Sequence, residues 1–155
     1  MEIDKELHRK LAAALNGEVW DLLGKAARRV DEDWHMIHAA HASHYHWLHA
    51  GTLVHEQRGE WLVARVYATL GHADSALRHA ERCVELTEAH ASEMEHFDLA
   101  YASEGLARAC ALKGDTKRAA GLKAKARELG AKIGDPESRK IFDGDFAGGD
   151  WHGVA

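Results

Sequence analysis

Apolar residues along this chain recur three and four apart, in blocks separated by glycines or short polar turns. That spacing predicts successive amphipathic helices and no strands. An opening helix from about Ile3 to Leu15 is expected to stop at Asn16-Gly17, after which "EVWDLLGKAARR" reads as a short helix followed by a loop. Asp31, just before the acidic pair Glu32-Asp33, is the expected N-cap of a histidine-bearing helix over 31–50 that ends near Gly51. Helices then follow at about 53–70, 73–90, 94–113 and 116–132, with a shorter one after Pro136. The end of the chain, "DGDFAGGDWHGVA", has four glycines in thirteen residues, so 144–155 reads as a mobile tail with Trp151 as an available anchor. The expectation is an all-α domain of about six helices over residues 1–143.

The chain also repeats itself. "ARVYATLGHADSALRHAERCVEL" (64–86) and "ARACALKGDTKRAAGLKAKAREL" (107–129) superpose at an offset of 43 residues, which matches Ala64 with Ala107, Gly71 with Gly114, Ala76 with Ala119 and Leu86 with Leu129. Each copy reads as a helix hairpin. Small residues suit the crossing of two antiparallel helices, and glycine suits a turn that needs positive φ. The same offset applied once more upstream puts Asp33 where an alanine belongs, so the histidine helix is expected to be a divergent neighbour stacked on the first hairpin.

The pattern resembles the tetratricopeptide repeat: Ala64, Tyr67, Gly71, Ala76, Cys83 and Leu86 fall at its spacing, as do Ala107, Gly114, Ala119, Ala126 and Leu129. The segment "AHASHYHW" (40–47) with "RGEWLVARVYATLG" (58–71) also resembles small bacterial helical-repeat proteins. The resemblance implies hairpins over about 53–90 and 94–132 that bind protein or peptide partners along the first helix of each. The implied contact residues are Arg58, Trp61, Arg65 and Thr69, then Tyr101, Glu104, Arg108 and Leu112. Guanidinium groups beside flat aromatic area fit an acidic peptide, and a short array also raises self-association as a homodimer. Lysine and asparagine, which hold chaperone tails in some family members, are absent at Trp61 and Arg65, so that partner is not implied.

Composition narrows the picture. Two cysteines, Cys83 and Cys110, have no paired spacing and are expected to be small buried hydrophobes in a reducing compartment. The N-terminus mixes acids and bases at helical spacing, and no apolar run approaches the ~20 residues that a bilayer needs, so the expected location is cytoplasmic, with no membrane partner. Net charge is −5, yet residues 106–140 hold ten Lys/Arg against four Asp/Glu. Because no aromatics interleave these bases, a solvated face is favoured over nucleic acid.

The remaining signal is "HMIHAAHASHYHWLH", six histidines in residues 35–49. On a helical wheel His35, His38, His46 and His49 share an arc with Asp31, opposite Met36, Ile37, Ala40, Trp47 and Leu48, while His44 points toward the apolar side. His35 and His46 are about 16 Å apart along the axis, too far to share one ion. What stands as the alternative function is a divalent transition metal held by Asp31, His35 and His38, or by His46 and His49, with ligands added from another helix. Glu32-x-x-His35 and Glu93-x-x-His96 have the spacing of di-iron bundles, and Glu56, Glu60 and Glu104 are available acids. A stripe of imidazoles could instead sense protons near pH 6.5. Trp20, Trp34 and Trp47 are expected to pack in the core or at an interface. No catalytic motif and no cofactor site is found: there is no phosphate loop, no nucleophile elbow, and Ser43 between His41 and His46 lacks an oxyanion hole.

Overall fold

In the computed structural model, which describes residues 1–155, the chain is all-helical: α1 (Lys5–Leu23), α2 (Val30–Ala50), α3 (Leu53–Thr69), α4 (Ala73–Ala89), α5 (His96–Lys113), α6 (Thr116–Gly130) and α7 (Pro136–Ala147). Sequential helices pair as hairpins, α1 with α2, α3 with α4 and α5 with α6. The hairpins stack through α2 on α3 and α4 on α5, α3 also touches α5, and α7 closes the far end against α5 and α6. No helix is long and apolar enough to cross a membrane.

The two hairpins of the 43-residue offset turn in the same way. Gly71 and Gly114 take φ of +80° and +91°, a conformation that other residues reach only with strain. The residue after each glycine then reaches back five residues: the His72 N–H donates to the Tyr67 carbonyl and the Asp115 N–H to the Cys110 carbonyl, both at 2.9 Å. Ala64, Ala76, Ala107 and Ala119 are all at most 2% exposed, and Ala64, Ala76 and Ala119 belong to one core cluster. A larger side chain at any of them would push facing helices apart, at about 1–3 kcal/mol. Cys110 lies in this cluster and Cys83 in the larger one described next, both unpaired and buried, and burial pushes the Cys83 thiol up to about 12. A second, larger cluster runs from Val19 and Met36 through Leu62 and Val63 to Phe142.

Three boundaries differ from expectation. Helix α1 runs straight through Asn16-Gly17. A helical glycine costs about 1 kcal/mol, less than the burial gained when Leu15, Val19, Leu22 and Leu23 continue the core stripe. Helix α2 begins one residue before Asp31: the Glu32 carboxylate accepts from the Arg29 N–H at 2.9 Å, which makes Arg29 the cap, and Asp31 pairs instead with the Arg29 guanidinium. The segment 144–155 is not loose in the structure. Its first residues complete α7, and the rest folds back until Val154 is 5% exposed. Here Gly149 and Gly153, at φ +72° and +81°, allow the bends that bring Trp151 and Val154 down onto the helices.

Candidate functional site

The first helix of each hairpin, together with α7, encloses a recess of about 220 Å³. Asn16 and Trp20 come from α1; Arg58, Trp61 and Leu62 from α3; Phe97, Asp98 and Tyr101 from α5; and Ile141 and Asp145 from α7. Each arrives by helical spacing of three or four, so one face of every contributing helix points inward. The walls are aromatic: Trp20 stacks on Trp61 with ring centres 5.9 Å apart, and the Tyr101 ring meets Trp61 edge-on at 4.7 Å. Gly105 makes room for this packing, since a Cβ there would sit 2.8 Å from the Trp61 ring. At the mouth Trp20 is 39% exposed and Ile141 is 54% exposed. The Tyr101 hydroxyl donates to Asp145 at 2.5 Å; burial, and then this carboxylate, push the phenol well above its ordinary value. Arg58 donates from Nε to the buried Asp98 carboxylate at 2.7 Å while its guanidinium stays half-exposed over the Phe97 ring.

Beside the recess, the other residues expected to read a partner are engaged with one another. Glu104 is fully buried; it accepts from the Trp61 indole N–H at 3.0 Å, from Arg65 at 3.1 Å and from the Arg108 Nε. Arg108, itself 5% exposed, spends its remaining donors on backbone carbonyls of the C-terminal segment. Burial lowers the Arg108 value, against the pull of Glu104. An open row of guanidinium groups is therefore not what Arg65, Glu104 and Arg108 form: neighbouring hairpins bring them together, and buried charge must be paired to be tolerated. Of the expected contact residues, Arg58, Trp61 and Tyr101 line the recess, while Thr69 and Leu112 lie farther along beneath the tail. Trp20, Phe97, Ile141 and Asp145 join the site unannounced by local sequence. The signal that could have placed the Glu104 group is the offset itself, because Trp61 with Glu104, and Arg65 with Arg108, stand 43 residues apart and so side by side.

The histidines separate into distinct groups. His35 lies 2.8 Å from Glu18, Asp31 is held by Arg29, and His38 stacks on the exposed Trp34, so Asp31, His35 and His38 do not converge. Glu32 is engaged by Lys25 and Arg29, and Glu93 by His90. His46 and His49 meet His8 of α1: His8 and His46 share an Nδ1–Nδ1 contact of 2.7 Å, whereas His49 stacks face-on with His8 at 4.5 Å. Stacked rings cannot aim their lone pairs at a common point, and no three His, Cys, Asp or Glu side chains are placed to hold a metal ion. Of the apolar arc, Met36, Ile37 and Ala40 are buried, but Leu48 is exposed. Trp47 packs on His55 with ring centres 4.3 Å apart. Ser43 donates to the Ala12 carbonyl at 2.8 Å and is buried, a helix-packing bond and not a nucleophile beside a base.

A further group forms where α2, α3 and α4 meet. Glu60 is bonded by His79 at 2.6 Å and by His44 at 3.2 Å. Burial raises its carboxyl, but the two imidazole hydrogen bonds outweigh burial and bring it down to about 2. His41 bonds the Tyr67 hydroxyl at 2.9 Å and lies edge-on to His79. The Nδ1 of His44 has no partner, because it faces Gly59, where a Cβ would come within 2.1 Å. Compared with protein-family models, curated proteins and solved structures, the chain matches none.

Proposed function

We propose that this is a non-catalytic docking protein of tetratricopeptide-like design, which holds a segment of a protein partner on the face formed by α1, α3, α5 and α7. The observation that carries the reading is the aromatic recess between Trp20, Trp61, Phe97 and Tyr101, the kind of concave, mostly apolar site with a few polar groups that ligands favour. An apolar or aromatic side chain of the partner seats between Trp20 and Ile141. Arg58, whose outer nitrogens are free of Asp98, takes a carboxylate at the rim. The preference for acid thus rests on Arg58 alone, since Arg65 and Arg108 are neutralised by Glu104 and the chain's own carbonyls. Trp20 is the anchor, being a half-open indole at the mouth of a desolvated site.

Selection from a displayed peptide library on the intact protein tests this. Enriched sequences are expected to pair an acidic residue with a large apolar one, and to bind a Trp20→Ala protein roughly 30-fold more weakly, the loss typical of an interface hot spot. Arg58→Glu should reverse the acidic preference. Enrichment that ignores both substitutions would overturn the reading.

A further inference from the structure

Beyond α7, residues 148–155 lie across α5 and α6 and are held largely through their backbone carbonyls. Arg108 Nη2 donates to the carbonyls of Asp145 and Gly148 at 2.7 Å and of Phe146 at 3.3 Å, and its Nη1 to that of Asp150 at 3.4 Å. Lys123 donates to the Val154 carbonyl at 2.9 Å. Both cations also lie over the Trp151 ring, Arg108 at 4.1 Å and Lys123 at 4.3 Å from its centre. Only two side chains of the segment are seated by burial or by stacking on these cations, Trp151 and, three residues on, Val154, which joins the alanine-rich core cluster. Everything else is backbone. Carbonyl contacts carry no sequence information, but the Val154 N–H closes a turn onto the Trp151 carbonyl at 3.0 Å, with His152 and Gly153 at φ +51° and +81°, so the bed recognises a tight turn that sets an indole and an aliphatic group three apart.

The fit is incomplete on the side of α3. A cavity of about 220 Å³ separates the tail from Arg65, Thr69 and Leu112. Nor does the tail's Asp150 pair with Arg108 or Lys123, since it turns to His152, and Asp145 at the end of α7 accepts from Tyr101. Lys123 is one of three neighbouring cations with Arg108 and Arg127, and burial followed by those two charges lowers its value. An occupant with an acid beside its tryptophan would satisfy this cluster better than the tail does.

We propose that residues 148–155 are a displaceable self-ligand, and that the bed beneath them, formed by Arg65, Arg108, Leu112 and Lys123, docks a turn-forming protein segment bearing a Trp-x-x-Val pattern and an acidic neighbour. The bed and the recess have no lining residue in common, but they touch through Glu104, which bonds Trp61 on one side and Arg65 and Arg108 on the other. Gly148 and Gly149 supply the hinge on which the tail leaves. Tethering gives the tail an effective concentration of about a millimolar, so a partner prevails only by the added ion pairs or when the tail is weakened.

A fluorescein-labelled peptide of residues 146–155 added to the full-length protein tests this by anisotropy. The Trp151→Ala protein, whose own tail competes less, is expected to bind the peptide at least about tenfold more tightly than wild type. A peptide with its tryptophan changed to alanine should bind neither. Equal affinity of the two proteins, or binding to neither, overturns the proposal. Hydrogen exchange on wild-type protein guards against a misfolded variant: amides of 149–155 should exchange through a local opening while α5 stays protected. Exchange of that segment only together with α5 would also overturn it.

Discussion

Two glutamates mark the junctions between helices, and they are held in opposite ways. Glu104, at the inner seam of α3 and α5, is bonded by an indole and two guanidinium groups, none of which changes charge at any ordinary pH. Glu60, at the outer seam of α2, α3 and α4, is bonded by two imidazoles, which unlike guanidinium groups have both a neutral and a cationic form. The inner seam is thus permanent and the outer one adjustable. The residues that line the aromatic recess sit against the first seam, and the histidine helix sits against the second.

Removing the inner acid should break this contrast most severely. Glu104→Ala leaves Arg108 buried without a counter-charge, and is expected to destabilise the protein by about 3–5 kcal/mol in urea unfolding. Loss of under 1 kcal/mol would mean that the seam is not held by charge. Glu60→Gln keeps the shape of the outer acid but turns charged hydrogen bonds into neutral ones. A smaller cost of about 1.5–3 kcal/mol is expected, with α5 unaffected in hydrogen exchange.

The smallest effect is a pH dependence confined to the outer seam and its neighbours. Burial, followed by the charges of His79 and His44, lowers the His41 value, and burial likewise lowers those of His8 and His55. A depressed folded value means the neutral form is favoured in the fold, so this stability is complete above pH 6.5 and is lost as pH falls below it. Glu60, depressed from 4.5 to about 2, adds a second loss only as pH falls below 4.5. The melting temperature should therefore be level from pH 8 to 7, decline below 6.5 and steepen below 4.5, and His41→Gln should soften the first decline. A level melting temperature from pH 8 to 5 would contradict the assignment.

The hairpins were legible because their marks are local and repeated: a glycine that needs positive φ, and alanines where helices cross. The continuation of α1 was not, because Asn16-Gly17 is a local stop signal and the burial that overrides it comes from α2 and the core behind it. The histidine helix showed its buried face correctly in Met36, Ile37 and Ala40, yet the partners of its imidazoles, Glu18, His8 and Glu60, lie on other helices that no spacing within 31–50 can specify. The aromatic recess was half visible, through Arg58, Trp61 and Tyr101. Its other half, Trp20 and Ile141, required knowing that α1 and α7 flank α3 and α5. Glycine content masked the seated tail, since composition does not distinguish a segment that bends freely from one that bends once onto a cation.

Trp61 and Glu104 hold the same rung of successive hairpins, one donating a hydrogen bond and the other accepting it. Were residues 62–104 duplicated, the added unit would set one Glu104 against another, two like anions in a dry seam. Although the two backbone turns are alike, the side chains at this rung are not, and they give the pair of hairpins a donor side and an acceptor side.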